Sequence, residues 1–514
     1  MFKYGEDHLT VGKVLVILRG NIETIISSSV ASKIEKAHQI VLKTSQKEEA
    51  VYGINTGFGP LCDTKISPED TSELQRKILL SHSVGVGNPI SQDLAKLMLI
   101  LKVQSLSQGH SGISRTIIDR ILWHIDNEVI PVVPEQGSVG ASGDLCPLSH
   151  LFLPLLGEGE VYYKGKRVHS SEVLRAFNLE PVPLHPKAGL ALINGTQFIL
   201  AHAVMVVDKL HSTLSHADVI GALMIEGLMG SQAPFHPELH VTRPYKGNTH
   251  VAARIAKFLK DSDIGKSHID CGKVQDPYSL RCMPQVHGSS RNAWLHLKEI
   301  VEVEMNSATD NPIIISEDLI ISGGSFHGQP LALPLDYACL AAAELGSISD
   351  RRTYLSLEGK YEGTPRLLME DTGLNSGFMI LQYTTAALVS ENKGLCFPAS
   401  ADSIPTSLGQ EDHVSMGSIG GRKALRVLEN LEKILAIELL SAAQAFEFRK
   451  PLNSSKILDE VYDEVRKHVG FAKEDRIFSY DIDKALKLVQ SRDLLHLSEM
   501  DGAYSQYDNE FENY

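Results

Sequence analysis

The chain has 514 residues, 43% hydrophobic and 22% charged, the balance of an ordinary globular protein rather than a disordered chain or a fibrous repeat. Its 49 basic residues against 63 acidic ones give a formal net charge of -14, which repels polyanions, and no run of Lys and Arg interleaved with aromatics offsets it locally. Nucleic acid is therefore excluded as an expected partner, and length allows roughly two to four compact units.

In chain order, the start "MFKYGEDHLTVGKVL" carries acids and a glycine where a signal peptide needs an apolar stretch, so a cytoplasmic location is expected. The six cysteines (Cys62, Cys146, Cys271, Cys282, Cys339, Cys396) are scattered without a C-x-x-C pair and read as reduced thiols. Residues 137–145, "GSVGASGDL", place glycines and serines in a permissive turn before "LCPLSHLFL", a helix that Asp144 is positioned to cap. "EVYYKGKRVHS" (160–170) alternates like a hairpin turning at Lys164-Gly165. The most apolar stretch, "LALINGTQFILAHAVMVV" (190–207), is interrupted by Asn194, Thr196, Gln197 and His202, which predicts a buried helix and no membrane span.

Further along, Trp294, Leu297, Val301 and Met305 share one helical face before "NSATDNP" stops the helix at Pro312. "LDYACLAAAELGSI" (335–348) is alanine-rich and suited to close helix packing, and Leu428, Leu431, Leu435 and Leu439 line one face of a helix over 418–447. The fold class is mainly α. No internal repeat or low-complexity linker marks a boundary; the expected division is 1–195 and 196–514, with an acidic, tyrosine-rich tail from about residue 499 that reads as loosely held.

Several motifs fail on their mechanics. "GFG" (57–59) and "GVG" (85–87) lack the third glycine of a dinucleotide fingerprint, and no phosphate-type loop is followed by G-K-[ST], so no nucleotide is expected. "HPELH" (236–240) has Pro237 where a zinc helix needs glutamate, so its histidines read as surface or capping groups and no metal is expected. Gly140-x-Ser142-Gly143 is one residue short of a nucleophile elbow.

What the Ala141-Ser142-Gly143 triplet can do is attack itself. If the backbone is bent hard, the amide nitrogen of Gly143 reaches the carbonyl carbon of Ala141; loss of one water closes a five-membered ring. Loss of the Ser142 hydroxyl as a second water leaves an exocyclic methylidene, an electrophile.

"GSVGASGDLCPLSH" resembles the signature of the ammonia-lyases that carry 4-methylideneimidazole-5-one (MIO), a group that includes histidine, phenylalanine and tyrosine ammonia-lyases and related aminomutases. The resemblance continues collinearly through "VYGINTGFGPL" (51–61), "LLSHSVGVG" (79–87), "GLALINGTQ" (189–197), "VQDPYSLRC" (274–282), "NSATDNP" (306–312), "GGSFHGQP" (323–330) and "QEDHVSMG" (410–417). It implies a fumarase/aspartase-like fold with a long central helical bundle and a smaller N-terminal domain carrying the MIO loop. It also implies MIO formed from Ala141-Ser142-Gly143, with no metal and no nucleotide, and a homotetramer with shared active sites.

The same resemblance assigns roles. Tyr52 matches the base that takes the β-proton from a mobile loop; with an ordinary pKa of about 10 it needs positive surroundings, which helix amino-termini and Arg281 are expected to supply. Arg281 matches the substrate-carboxylate clamp, Asn194 and Tyr278 match residues beside the ring, and Gln275 and Phe326 match further pocket positions. His82 and Glu411 match positions that hold or polarise an imidazole, which a phenyl ring could not satisfy, so histidine is the expected small-molecule substrate and elimination of ammonia the expected reaction. The alternatives are a tyrosine or phenylalanine ammonia-lyase or aminomutase and, from another class, a retired enzyme kept as a helical oligomer with a binding or structural role. The chain departs from the family pattern at Ala188, Met283, Ser325, Gln329 and Gly409.

Overall fold

The computed structural model describes residues 1–67, 70–269, 272–499 and 502–514; the expectation for Cys271 lies outside the described residues, and the other five cysteines are free thiols. The protein is mainly α, with long helices at Gln197–Gly227, Met283–Met305, Gln329–Ser356 and Gly417–Glu447, and its described strands form only small two- and three-stranded sheets. The helical faces marked by Trp294, Leu297, Val301 and Met305, and by Leu428, Leu431, Leu435 and Leu439, are buried, as their spacing predicts. The hairpin pairs Tyr163 with Lys166, and both turn residues, Lys164 and Gly165, take positive φ, the signature of a turn whose twist matches its strands.

Two local expectations are corrected. The 190–207 stretch is buried but is not one helix: Ala188–Ile193 ends at Asn194, which is extended, Gly195 has φ of +124°, and a new helix starts at Gln197. The buried carboxylate of Asp144 does not cap the helix Leu145–Phe152 that follows it. It accepts the backbone N–H groups of Phe198 and Ile199 at 3.0 and 2.9 Å and so caps the long helix Gln197–Gly227, because the chain brings those orphan donors to it through 54 and 55 residues of sequence. Of the "HPELH" histidines, His236 caps as read, accepting the N–H of Glu238 at the start of the helix Pro237–Val241, whereas His240 is neither surface nor cap: it is buried and bonds the Pro234 carbonyl.

The chain divides into two compact units, each discontinuous in sequence. The first comprises Met1–Met205, Lys298–Leu335 and Pro398–Arg422; the second comprises Val206–Leu297, Asp336–Phe397 and Lys423–Tyr514. In the first, the helices Thr71–His82, Leu145–Phe152 and Ala188–Ile193 pack on one another. Gly189 makes the closest approach: a Cβ there would lie 2.4 Å from the Gln75 carbonyl, and the buried Gln75 side chain accepts the Leu190 N–H. This packing sets the ends of two helices, at His82 and Asn194, beside the glycine-rich turn's own helix. In the same unit the helix Gln92–Leu106 is buried on all sides from Leu94 onward.

The second unit holds a buried charge cluster. Asp218 accepts from Arg254 at 3.0 Å, Arg291 at 2.6 Å and the His287 ring at 2.8 Å. Two guanidiniums against one carboxylate leave a cationic surplus, and the C-terminal tail balances it: Glu512 lies 2.7 Å from Arg254 and 2.6 Å from His250. Phe511 is fully buried, its carbonyl bonds His211, and the Tyr514 hydroxyl donates to Asp208. The expected loose tail is therefore docked over 502–514. Its anchors are single residues answering distant charges, which leaves no periodic trace in the sequence.

Glu512 is held down to about 2, with burial opposed by the Arg254, His250 and Arg291 charges. A depressed carboxylate contributes stability that is full above its ordinary value of 4.5 and is lost as pH falls toward 2. Glu512→Gln is expected to cost about 2 kcal/mol at pH 7, below the range for fully buried pairs because the carboxylate keeps 23% exposure. Urea denaturation should show that cost shrinking as pH falls from 4.5 toward 2; an equal cost at pH 7 and pH 3 contradicts the assignment.

Candidate active site

The glycine-rich turn is bent at three of four successive residues. Gly140, Ser142 and Gly143 have φ of +79°, +52° and +79°, and a serine pays for that region in strain that glycine escapes. What holds the bend is the break between the helices Ala188–Ile193 and Gln197–Gly227. Gly143 bridges to Gly195; the Asp144 N–H donates to the Gly195 carbonyl at 2.8 Å, and the Gly195 N–H faces the Ser142 carbonyl at 3.4 Å. A Cβ on Gly143 would lie 2.1 Å from the Gly195 oxygen, and one on Gly140 would lie 2.1 Å from the Ser415 hydroxyl. The turn is thus squeezed from two sides at positions where no other residue fits.

Glu411 reaches this turn, and Tyr52 and His82, from two other segments, lie within range of its charge. The Ser142 hydroxyl donates to Glu411 at 3.3 Å, and Thr406 donates to the other Glu411 oxygen at 3.2 Å. His82 ends the helix Thr71–His82 and shares a hydrogen bond with Ser81; burial lowers its pKa, against the Glu411 charge, which favours a neutral ring. The Tyr52 hydroxyl accepts the Gly59 N–H at 3.4 Å within a loop tied down by Asn55, which accepts from Val51 and donates to Glu49 and Lys47. Burial raises the pKa of Tyr52 first and the Glu411 charge raises it further, opposed by the Gly59 N–H. The positive surroundings expected for Tyr52 are not what this unit provides, since Glu411 is the charge it feels most.

Asn194 is buried at the helix break; its amide donates to the Asn311 carbonyl, while its Oδ1 has no partner. Phe326 is half-buried two residues before Gly328, where a Cβ would press on Ile199 and on Ser415, the same serine that abuts Gly140. Tyr52, His82, Ala141, Ser142, Gly143, Asn194, Phe326 and Glu411 therefore all belong to the first unit.

Gln275, Tyr278 and Arg281 belong to the second. Arg281 donates to the Asp276 carbonyl at 2.8 Å and its guanidinium lies 4.6 Å from the Tyr278 ring, whose side chain is 71% exposed. Gln275 and Arg281 line a groove of about 920 Å³. Of the five departures from the family pattern, Ala188 and Met283 are buried, Ser325 and Gly409 are exposed, and Gln329 bonds the Ser400 carbonyl. Among the described residues none of the five bonds Ala141, Ser142 or Gly143.

Sequence reasoning missed Gly195 as the wall behind the triplet and Lys102 behind that wall. The signal for Lys102 was present: a lone lysine in the apolar helical run "LILKVQSL".

A family model described as aromatic amino acid lyase matches residues 9–467. A histidine ammonia-lyase of Myxococcus xanthus is 44% identical over 490 residues, covering 95% of this chain and 96% of that protein. One from Vibrio vulnificus is 44% identical over 484 residues, covering 94% of each. Among solved structures, histidine ammonia-lyase from Trypanosoma cruzi matches with a TM-score of 0.91 at 39% identity, covering 100% of this chain and 97% of that one. Tyrosine aminomutase from Streptomyces globisporus matches at 0.92 with 32% identity, covering 98% and 100%.

Gly195→Ala should be severely destabilising: its Cβ would lie 2.6 Å from both the Thr309 carbonyl and the Gln197 side chain at a φ of +124°. A loss of about 3 kcal/mol is expected from strain and overpacking together. Urea titration should show the first unit unfolding early; a wild-type midpoint would mean that the 194–196 break is slack.

Proposed function

Since the chain belongs to the aromatic amino acid lyase family, we propose that it is a histidine ammonia-lyase, eliminating ammonia from L-histidine to give trans-urocanate. The observation that carries this reading is the bent Ala141-Ser142-Gly143 segment pressed on Gly195 with Tyr52, His82 and Glu411 gathered over it.

The residues present fit a ring made from the triplet. The bend includes Ser142 and Gly143, two of the three residues that must close the ring, glycine is required at Gly143 by the Gly195 oxygen, and Asn194 keeps an unpaired buried Oδ1. Once formed, MIO supplies an electrophilic carbon that draws electrons from the substrate.

The chain's own residues do the rest. In this reading Glu411 accepts a hydrogen bond from the substrate imidazole and neutral His82 makes a second, so that a phenyl ring would leave both unsatisfied. Tyr52 takes the β-proton. Burial and Glu411 both oppose its ionisation, so the reading requires a cation from elsewhere, and Arg281 of a neighbouring copy supplies it while clamping the substrate carboxylate, with Tyr278 and Gln275 beside it. A homotetramer with shared sites follows, supported by the exposed apolar residues Tyr337, Leu340, Tyr354, Ile380 and Tyr383 of the second unit. A cytoplasmic setting is part of the same reading, supported by the free cysteines.

Purified protein given L-histidine is expected to release urocanate and ammonia, and Ser142→Ala should lower turnover by at least about 1000-fold. Cinnamate or coumarate from phenylalanine or tyrosine, or a β-amino acid, with histidine left untouched would overturn the substrate assignment in favour of the other lyases or an aminomutase. No turnover on any of the three amino acids would favour the retired oligomer.

A further inference from the structure

Two lysines are wholly buried in the first unit, and they are used differently. Lys187 pairs with Asp310 at 2.7 Å and donates to the Ser111 carbonyl, a satisfied ion pair. Among the described residues Lys102 has no carboxylate within hydrogen-bonding reach. Its ammonium donates to the Asn194 carbonyl at 2.5 Å and to the Gln197 side chain at 3.5 Å. An ammonium is expensive to bury, and placing one on a peptide carbonyl rather than a carboxylate needs a reason. Burial draws the Lys102 pKa down to about 7, against the charge of Asp310 and, less, of Asp144, with the Lys187 charge adding to the lowering.

The peptide it grips is the wall behind the reactive triplet. At one end of the Asn194–Gly195 peptide the carbonyl takes the Lys102 bond; at the other end the Gly195 N–H faces the Ser142 carbonyl at 3.4 Å. The next carbonyl, that of Gly195, occupies the space a Gly143 Cβ would need. The flanking groups are tied by neutral side-chain bonds, Asn194 to Asn311 and Gln197 to Thr309, and by Thr196 to Glu304. Lys102 adds a charge-assisted bond, about twice as strong as a neutral one, and it polarises the peptide so that the Gly195 N–H becomes a better donor to Ser142.

We propose that Lys102 is a positioning residue for formation of the ring: by anchoring the Asn194 carbonyl it holds the Asn194–Gly195 peptide against the bent Ala141-Ser142-Gly143 segment. This rests on the ring-forming reading given above. In the step concerned, a bond forms between the Gly143 nitrogen and the Ala141 carbonyl carbon. The Ala141 oxygen leaves as water with the amide protons of Gly143 and Ser142. The Ser142 hydroxyl then leaves with the Ser142 Cα proton as a second water, and neither loss needs an oxidant. Lys102 acts twice here, by denying the wall room to retreat as the segment closes and by drawing electron density from the Ser142 carbonyl as the adjacent Cα proton departs.

The test follows the mass of the whole chain with time after synthesis is stopped, alongside circular dichroism to establish that each variant is folded. Wild type should lose two waters from nearly every chain, folded Lys102→Met should do so about tenfold more slowly, and Lys102→Arg should recover part of the rate. If Lys102→Met does not fold, Lys102→Gln, whose shorter neutral amide cannot anchor the carbonyl in the same way, is held to the same criterion. Chains of Lys102→Met that have lost both waters should bind histidine with an unchanged KM, which a general loosening of the site would not allow. A folded Lys102→Met or Lys102→Gln maturing at the wild-type rate overturns the role of Lys102 and leaves the lyase reading standing. A wild-type chain that keeps both waters overturns the ring and this proposal with it.

Discussion

Everything about the site depends on one backbone-to-backbone approach, Gly143 against Gly195, where the space for a single methyl group is already taken by a carbonyl oxygen. Protein interiors are close-packed and do not yield to such an intrusion. The positive φ of Ser142, the break between two helices at 194–196 and the requirement for glycine on both sides are consequences of that one approach. A chain that only needed a turn would have no reason to store strain at a serine.

The surroundings are organised to keep the approach from relaxing. Asp144 donates its N–H to Gly195 and gives its carboxylate to the start of the next long helix, so one residue locks the turn and the wall together. Burial pushes that carboxyl up to about 7, with its three hydrogen bonds acting in the other direction. On the far side lie Lys102 and the ion pair of Lys187 with Asp310. The first unit thus places buried charges around the peptide groups at 194–196, while one buried charge cluster of the second unit holds that unit's C-terminal tail.

Local features of this protein were legible in the sequence and distant pairings were not. "GSVGASGDL" announces a backbone that needs left-handed residues, and Lys164-Gly165 between alternating strands announces a tight hairpin, because both signals are carried by the residues that adopt the conformation. Asp144 looks like a cap for the helix next to it, yet the donors it serves are more than fifty residues away. The loose-tail expectation failed for the same reason, since Glu512 answers Arg254 and His250 across some 260 residues. Tyr52, His82, Ser142 and Glu411 could be named from their motifs, but the sign of the field on Tyr52 could not, because it comes from Glu411 approaching through folding.

In the proposed lyase the compressed triplet closes on itself. The most direct measurement is electron density at high resolution from crystals of the purified, assembled protein. A closed triplet should show continuous density between the Gly143 nitrogen and the Ala141 carbon, a planar five-membered ring and no hydroxyl on residue 142. Three linear residues with an intact Ser142 hydroxyl bonded to Glu411 would contradict it.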